Sequence, residues 1–158
     1  MAVYVIELPF RRPPMTANDQ RRARHWSQVS KAKKEVADVV AWQARSQLPR
    51  GLRLNRVSVR VTWYAPDLRK RDSDGLGPFL KAALDALTKD IGLLPDDHSG
   101  FVEESSQRIL LDRANPRITL EIKDLEAPAP VAPAPVAPAP VAPAPVAPAP
   151  VAPAPVAP

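Results

Sequence analysis

Acidic residues in the second half of the chain recur at spacings that suit cation chemistry. Asp72 and Asp74 lie two residues apart, so in an extended segment their side chains face the same side. Two such carboxylates repel each other unless a cation lies between them, and oxygen ligands favour Mg²⁺ or Mn²⁺ over softer metals. A second acidic pair, Asp96 and Asp97, follows in a predicted loop. An ordinary surface turn or helix cap is the competing interpretation of each pair taken alone.

Lys81 and Asp85 lie four residues apart and share one face of a predicted helix. The simple interpretation is a surface ion pair worth ~0.3–0.5 kcal/mol. The functional interpretation is a lysine held near the carboxylates, where its ammonium group offsets negative charge on a phosphate in the transition state. These residues therefore predict a site for phosphate chemistry, or merely a solvated helix face.

Basic residues dominate the first half of the chain. Residues 1–60 carry 13 basic and 4 acidic side chains, whereas residues 72–126 carry 6 basic and 12 acidic ones. The basic half indicates a polyanionic partner, and a solvated surface is the alternative. The cations that suit a phosphate backbone lie in a run just before Asp72 and in an earlier basic loop: Arg69, Lys70, Arg71, Arg21, Arg22 and Arg24.

The elements that must position these groups follow from hydrophobic periodicity. Alternating apolar residues predict four strands, at about 2–9, 56–64, 101–111 and 117–122. Helical spacing predicts two helices, at about 26–48 and 78–89. Residues 15–24 are predicted to form a polar loop, and Asn115–Pro116 the turn of an antiparallel hairpin between the last two strands. The order β-α-β-α-β-β predicts an α+β domain with two helices packed on a mixed sheet that contains at least one parallel pair.

The three tryptophans and two histidines are further candidates for contacts with a partner. Trp26, Trp42 and Trp63 fit an apolar stripe or lie near one, so we expect them in the core or at a dimer interface. A base-stacking role is the alternative. His98 adjoins Asp97 but is expected to be a solvated loop residue rather than a ligand of metal or phosphate, and His25 still more so.

The last 32 residues contain only Ala, Pro and Val, in six copies of Ala-Pro-Ala-Pro-Val followed by Ala-Pro. We expect an extended, disordered spacer at 127–158, or a docking peptide for a proline-binding partner, and one domain at 1–126. The absence of cysteine excludes disulfides, zinc fingers and thiol catalysis. No apolar run is long enough for a membrane span and the start does not resemble a signal peptide, so we expect a cytoplasmic protein without membrane contact.

The string RKRDSDGLGPFLKAALDALTKDIGLLPDDHSGFV, residues 69–102, resembles the RusA-type Holliday-junction resolvases of bacteria and their phages. The family pattern has basic residues, then Asp-x-Asp-Asn, a spacer, Lys-Ala-x-x-Asp-Ala-Leu and a later Asp-Asp. An opening strand, a proline pair and Asn18 in a basic loop also match. The chain departs from the pattern at Gly75, where Asn is usual, and in the longer spacer from Asp74 to Lys81.

The resemblance implies a homodimeric, Mg²⁺-dependent crossover junction endodeoxyribonuclease, with Mn²⁺ as a substitute, that cuts four-way DNA junctions in recombination and repair in a bacterial or phage-infected cell. It implies catalytic roles for Asp72, Asp74, Lys81 and Asp97, metal ligation by the three aspartates, and a secondary role for Asp85. It implies DNA contacts for Asn18, Arg21, Arg22, Arg24, Arg69, Lys70 and Arg71. Two alternatives stay open: a non-catalytic junction- or duplex-binding module with a structural acidic cluster, and a metal-dependent nucleotidyl- or glycosyltransferase. The basic half and the lack of a glycine-rich phosphate loop disfavour the transferase.

Overall fold

Residues 1–126 are the part of the chain that the computed structural model describes. The elements in chain order are β1 (Val3–Leu8), α1 (Ala17–Arg22), α2 (Trp26–Gln47), β2 (Val57–Ala65), α3 (Gly77–Asp85) with a π-helical turn (Ala86–Asp90), β3 (Val102–Leu111) and β4 (Arg117–Asp124). The predicted α+β class and mixed sheet are confirmed. The tail predicted at 127–158 lies outside the described residues. In the described part, no helix combines the length and apolar character that a membrane crossing needs.

The sheet has the strand order β1-β4-β2-β3. The predicted parallel pair is confirmed in β2 and β3, but the predicted hairpin of the last two strands is wrong, because β2 lies between them. The burial of the side chains is consistent with this order. The inward side chains of β4 are fully buried and take a central position: Ile118, Leu120 and Ile122. Glu103 and Glu104 of β3 are exposed, which suits a strand at the edge of a sheet.

The link from β3 to β4 crosses the end of β2, a span of two strand spacings or roughly 10 Å. Asp112 closes this link, because its carboxylate accepts hydrogen bonds from the amides of Ala114 (3.1 Å) and Asn115 (3.0 Å). Arg117 Nη1 donates to the same carboxylate at 2.8 Å. The Asn115 amide, followed by Arg117, holds the pKa of Asp112 below its ordinary value. The connection is thus fixed by a charged turn rather than by a tight hairpin.

The two predicted long helices pack on one face of the sheet, as expected. α2 buries Val36 and Val40, and α3 buries Phe79, whose ring meets the ring of Phe10 edge-on with centroids 5.8 Å apart. Each such side chain stabilises the fold by roughly 1.5–3 kcal/mol when fully buried. Because this packing fixes one side of α3, Lys81 is held on the opposite, exposed side.

α1 corrects the prediction of a loop at residues 15–24. Thr16 begins the helix, since its hydroxyl accepts a hydrogen bond from the Asp19 amide at 3.2 Å while the Asp19 carboxylate accepts one from the Thr16 amide at 3.1 Å. Arg21 and Arg22 lie in the last turn, where positive charge favours the helix dipole. α1 has no buried residue, so it carries no apolar period that could have revealed it.

Two of the three tryptophans lie outside the core. Trp63 is 5% exposed, as expected, whereas Trp26 and Trp42 are 83% and 71% exposed. Neither of these two lies in the core, and the other expected position, a dimer interface, stays a prediction for both. The apolar stripe of α2 extends past the part of the helix that the sheet covers. Its buried side chains begin only at Val36, so the first ten residues of α2 bury none.

Candidate functional site

A tight turn at residues 72–75 presents Asp72 and Asp74 at the start of α3. The Gly75 amide donates to the Asp72 carbonyl oxygen at 3.0 Å, and the Gly77 amide donates to the Asp74 carbonyl oxygen at 3.1 Å. A Cβ atom at position 75 would lie 3.1 Å from the Asp72 carbonyl oxygen. Glycine therefore relieves a close contact at the position where the family pattern has Asn. Both aspartate side chains are exposed.

α1 docks against this turn. The Ala17 amide donates to the Gly75 carbonyl at 2.9 Å, and Asn18 Nδ2 donates to Asp72 Oδ2 at 2.9 Å. Asn18, predicted to contact DNA, thus forms a hydrogen bond with one of the predicted metal ligands. The hydrogen bond joins residues 54 positions apart and orients the Asp72 carboxylate.

Lys81 lies between two carboxylates on the exposed side of α3. Its Nζ is 3.5 Å from Asp85 Oδ1, which confirms the pair expected from the spacing, and it donates to Asp97 Oδ2. Lys89 contacts Asp85 from the next turn at 3.0 Å. The hydrogen bond with Asp97 raises the pKa of Lys81, and the same bond lowers the pKa of Asp97. Both groups are therefore charged at neutral pH.

Asp97 reaches Lys81 because the preceding part of the loop is anchored to the core. Leu93 and Leu94 are buried, and the Leu54 amide donates to the Leu93 carbonyl at 2.8 Å. The Asp97 amide then donates to the side chain of the residue before it at 2.7 Å. These contacts bring a loop carboxylate to a helix lysine, which the linear spacing of the sequence does not reveal.

His98 shapes the far end of this loop. Its Nδ1 accepts a hydrogen bond from the Gly100 amide at 2.9 Å, and its ring lies 4.7 Å from the ring of Phe101. The His98 carbonyl accepts bonds from the amides of Phe101 and Val102, both at 3.0 Å. The histidine is exposed, as expected of a loop residue, and these contacts give it a local structural role.

A cavity of about 420 Å³ opens beside Asp72. Its cationic lining comprises Arg12, Arg22, Arg69, Lys70 and Arg71. Its apolar lining comprises Trp63, Pro66, Leu76 and Ile109. Its other lining residues are Thr16, Asn18, Asp19, Asp67, Asp72 and Gly75. The cavity therefore combines one candidate catalytic carboxylate with the cations that suit a phosphate backbone, whereas Arg21 and Arg24 are exposed outside its lining.

Arg71 is held by contacts within its own loop. Its guanidinium stacks over the Trp63 ring at 4.6 Å, and its Nη2 donates to Asp67 Oδ1 at 2.6 Å. The backbone amide of Arg69 also donates to Asp67, and this bond, followed by that of Arg71, lowers the pKa of the Asp67 carboxyl. With 18% of its side chain exposed, Arg71 organises the loop, while Arg69 and Lys70 face solvent.

The three predicted metal ligands are not gathered into one group. Within residues 1–126, no three His, Cys, Asp or Glu side chains are placed to hold a metal ion. Asp72 is engaged by Asn18, and Asp97 is engaged by Lys81. Carboxylate oxygens are the donors that a hard divalent cation prefers. Their arrangement here does not form a ligand set, so ligation by these aspartates stays a prediction.

Three residues of the site were missed in the sequence. Arg12 lines the cavity and pairs with Asp19 at 3.2 Å, and Asp67 holds Arg71. The Thr-x-x-Asp spacing before α1 is a capping pattern and could have revealed the helix that carries Asp19. Arg12 carries no local signal, because its partner lies on α1, seven residues away. Asp67 is two and four residues from Arg69 and Arg71, and its spacing to Arg71 could have indicated the ion pair.

No protein-family model matches the chain, and no curated protein matches it. The resemblance of residues 69–102 to the RusA-type resolvases therefore rests on the motif residues alone. What it implies about activity, cofactor and partners belongs to the proposal that follows.

Proposed function

We propose that residues 1–126 form a Mg²⁺-dependent, structure-selective endodeoxyribonuclease that cuts four-way DNA junctions. One observation carries the proposal: Asp72 lies in the lining of a cavity that also holds five cationic side chains. Phosphates dominate the contacts of DNA-binding proteins, and a carboxylate among phosphate-binding cations is the arrangement that hydrolysis of the backbone needs. The RusA-like motif supports the same reaction class.

The chain's own residues have distinct roles in this proposal. Arg22, Arg69 and Lys70 bind backbone phosphates and fix the register of the strand. Lys81 provides positive charge for the phosphate, held in place by its two carboxylate partners. A bound divalent cation would supply a water of lowered pKa. Because the carboxylates are not gathered here, we assign that cation no geometry.

A dimer and a cytoplasmic location complete the proposal. A junction offers two equivalent strands, and a two-fold homodimer offers two equivalent sites to them. A cytoplasmic location in a bacterial or phage-infected cell gives direct access to recombining DNA. Neither feature is needed for the binding and cutting assays described next.

A second function has its own supporting observation. The ungathered carboxylates and the pairing of Asp97 with Lys81 favour a non-catalytic module that binds junction or duplex DNA. In that role the acidic cluster is structural, and the cationic cavity provides the affinity. Both proposals predict DNA binding, and only the first predicts cutting.

The test uses the full chain and a synthetic four-way junction. We expect nicks with Mg²⁺ and binding without nicks in EDTA. Asp72→Asn should abolish cutting and keep or strengthen binding, because it removes a negative charge beside the phosphates. Asp38→Asn is the matched control, since Asp38 pairs with Lys34 on the surface of α2. Binding in EDTA with no cutting in Mg²⁺ would establish the binding module instead, and normal cutting by Asp72→Asn would refute the assigned site.

A further inference from the structure

Trp26, the first residue of α2, presents its indole to solvent. It is 83% exposed, the most exposed large apolar side chain in the described part of the chain. Its ring makes no hydrogen bond, ring contact or cation–π contact with any of residues 1–126. The fold therefore gains little from placing an indole at this position.

Several cationic residues closely precede Trp26 in the chain. Arg21, Arg22 and Arg24 precede it within five residues and are exposed, and within residues 1–126 none of the three forms a salt bridge. His25 lies next to it and is also exposed. Three guanidinium groups and an indole thus occupy one short surface segment without binding the rest of the domain.

Trp42 on the same helix provides an internal contrast. It is 71% exposed, but the nearby charges are already engaged. Asp38, one turn before it, pairs with Lys34 at 3.0 Å, and Arg45, one turn after it, donates to the Asp90 carbonyl at 2.8 Å. Exposure alone therefore does not distinguish the two tryptophans, whereas unengaged cations do.

The segment around Trp26 is joined to the candidate site. Arg22 lines the cavity that contains Asp72, and Trp26 follows Arg22 by four residues. An extended chain spans at most ~3.3–3.6 Å per residue, so the two Cα atoms lie within about 14 Å of each other. The two positions are therefore close enough for one short nucleotide strand to contact both.

We propose that Trp26 stacks on an unpaired nucleobase while Arg21, Arg22 and Arg24 hold the flanking phosphates. Stacking on an aromatic ring tolerates any base, because every base has a π-face, and adjacent cations supply the salt-dependent part of the affinity. The inference deepens the proposed function and rests on its DNA-binding part. It assigns a preference for single-stranded segments, such as those exposed where a branch opens.

Tryptophan fluorescence tests the proposal without any cutting. The probe is a 15-nucleotide oligo-dT, titrated in EDTA into two full-chain variants. Trp42→Phe keeps Trp26 and the buried Trp63, whereas Trp26→Phe keeps Trp42 and Trp63. We expect stronger quenching of Trp42→Phe than of Trp26→Phe, because Trp63 of the cavity lining is common to both variants. Equal quenching of the two variants, or none, overturns the stacking role.

Affinity provides the second measurement. Trp26→Ala should bind oligo-dT on the order of tenfold more weakly than the unmodified chain, whereas Trp42→Ala should stay within about twofold. Binding to a blunt duplex should change little in either variant, because paired bases do not reach the indole. Equal losses in both alanine variants would count against the platform.

The same experiments detect two other partners of an exposed indole: a second copy of the chain and a membrane surface. Emission that shifts with protein concentration in the absence of DNA assigns Trp26 to a contact between copies, and a response to anionic phospholipid vesicles but not to oligo-dT assigns it to a membrane surface. Either result overturns the proposal. If Trp26→Ala binds oligo-dT normally and still cuts junctions, the platform fails while the proposed nuclease stands. If no variant binds any DNA, both fail.

Discussion

Replacing Lys81 by Met removes one ammonium group from two carboxylates. In the folded protein the Lys81 side chain is 59% exposed, and its partners Asp97 and Asp85 are 22% and 35% exposed. Exposed ion pairs contribute ~0.2–1 kcal/mol each, so the variant should lose about 1 kcal/mol of unfolding free energy at neutral pH. Most of the loss comes from Asp97, because Asp85 keeps Lys89 as a partner.

The pH dependence of this loss has a defined sign. The pKa of Asp97 is below its ordinary value of 3.8, so its contribution is complete above that pH and disappears as the pH falls through the lowered pKa. The pKa of Lys81 is above 10.5, so its contribution is complete below that pH and disappears as the pH rises through the raised pKa. The difference between the two proteins should be constant from about pH 5 to pH 10 and shrink outside that window.

Urea unfolding followed by circular dichroism measures the effect. With an m-value of ~1–3 kcal/mol/M, a loss of 1 kcal/mol lowers the midpoint by roughly 0.3–1 M. Lys89→Met is the matched control, since Lys89 contacts Asp85 but not Asp97 and should cost less than about 0.5 kcal/mol. Equal losses in both variants, or a Lys81→Met loss that persists undiminished below pH 3, would refute the reasoning.

The same Lys81→Met variant tests two effects of the lysine: the positive charge that it supplies to the phosphate, and its pairing with Asp97, which competes with a metal ion for that carboxylate. If the lysine supplies charge to the phosphate, cutting should fall by on the order of 10²–10³-fold, the loss typical of one removed transition-state donor. Because Asp97 loses its partner, Mn²⁺ binding measured by calorimetry should tighten. Weaker Mn²⁺ binding together with unchanged cutting would mean that Lys81 acts in neither way.

Two further predictions concern the supports of the site. Asn18→Ala removes the amide that orients Asp72 and should lower cutting of saturating junction by roughly 10–100-fold, as for other supports of a reactive group. Equal cutting would show that the hydrogen bond is incidental. Gly100→Ala places a Cβ atom 2.6 Å from the His98 ring and should break the Gly100–His98 hydrogen bond. The free energy of unfolding, measured in urea, should fall by about 0.5–1.5 kcal/mol. In a His98→Ala background the same change should cost almost nothing, and an undiminished cost would contradict the proposed clash.

Periodic elements were predictable because each carries its own signal. β2 alternates, α2 repeats at helical spacing, and Pro78 marks the start of α3, so all three appear within a few residues of the expected bounds. α1 was missed because it buries nothing and depends on a capping box instead. The hairpin was wrong because adjacency in sequence does not decide adjacency in a sheet, and β2 lies between β3 and β4.

Some contacts of the candidate site could likewise be predicted from the sequence, and others could not. The Lys81–Asp85 pair follows from helix geometry and could be predicted from spacing alone. The contacts of Asp97 with Lys81 and of Asn18 with Asp72 join separate elements across 16 and 54 positions, and no local pattern encodes them. Sequence reasoning therefore named the candidate residues, while the fold determines which of them are engaged with each other.

The salt bridges within the protein involve both the acidic and the basic half of the chain. Five acidic residues of the second half have cationic partners within the described part: Asp85, Asp97, Glu103, Asp112 and Glu121. Among the 13 basic residues of 1–60, only four form salt bridges within residues 1–126. The acidic half is thus partly neutralised by the protein itself, without a bound cation. Most basic side chains of the first half form no salt bridge within residues 1–126. Under the proposed function, the arginines around α1 and the start of α2 should set the salt dependence of DNA binding, with a slope of ~0.9 for each phosphate they neutralise.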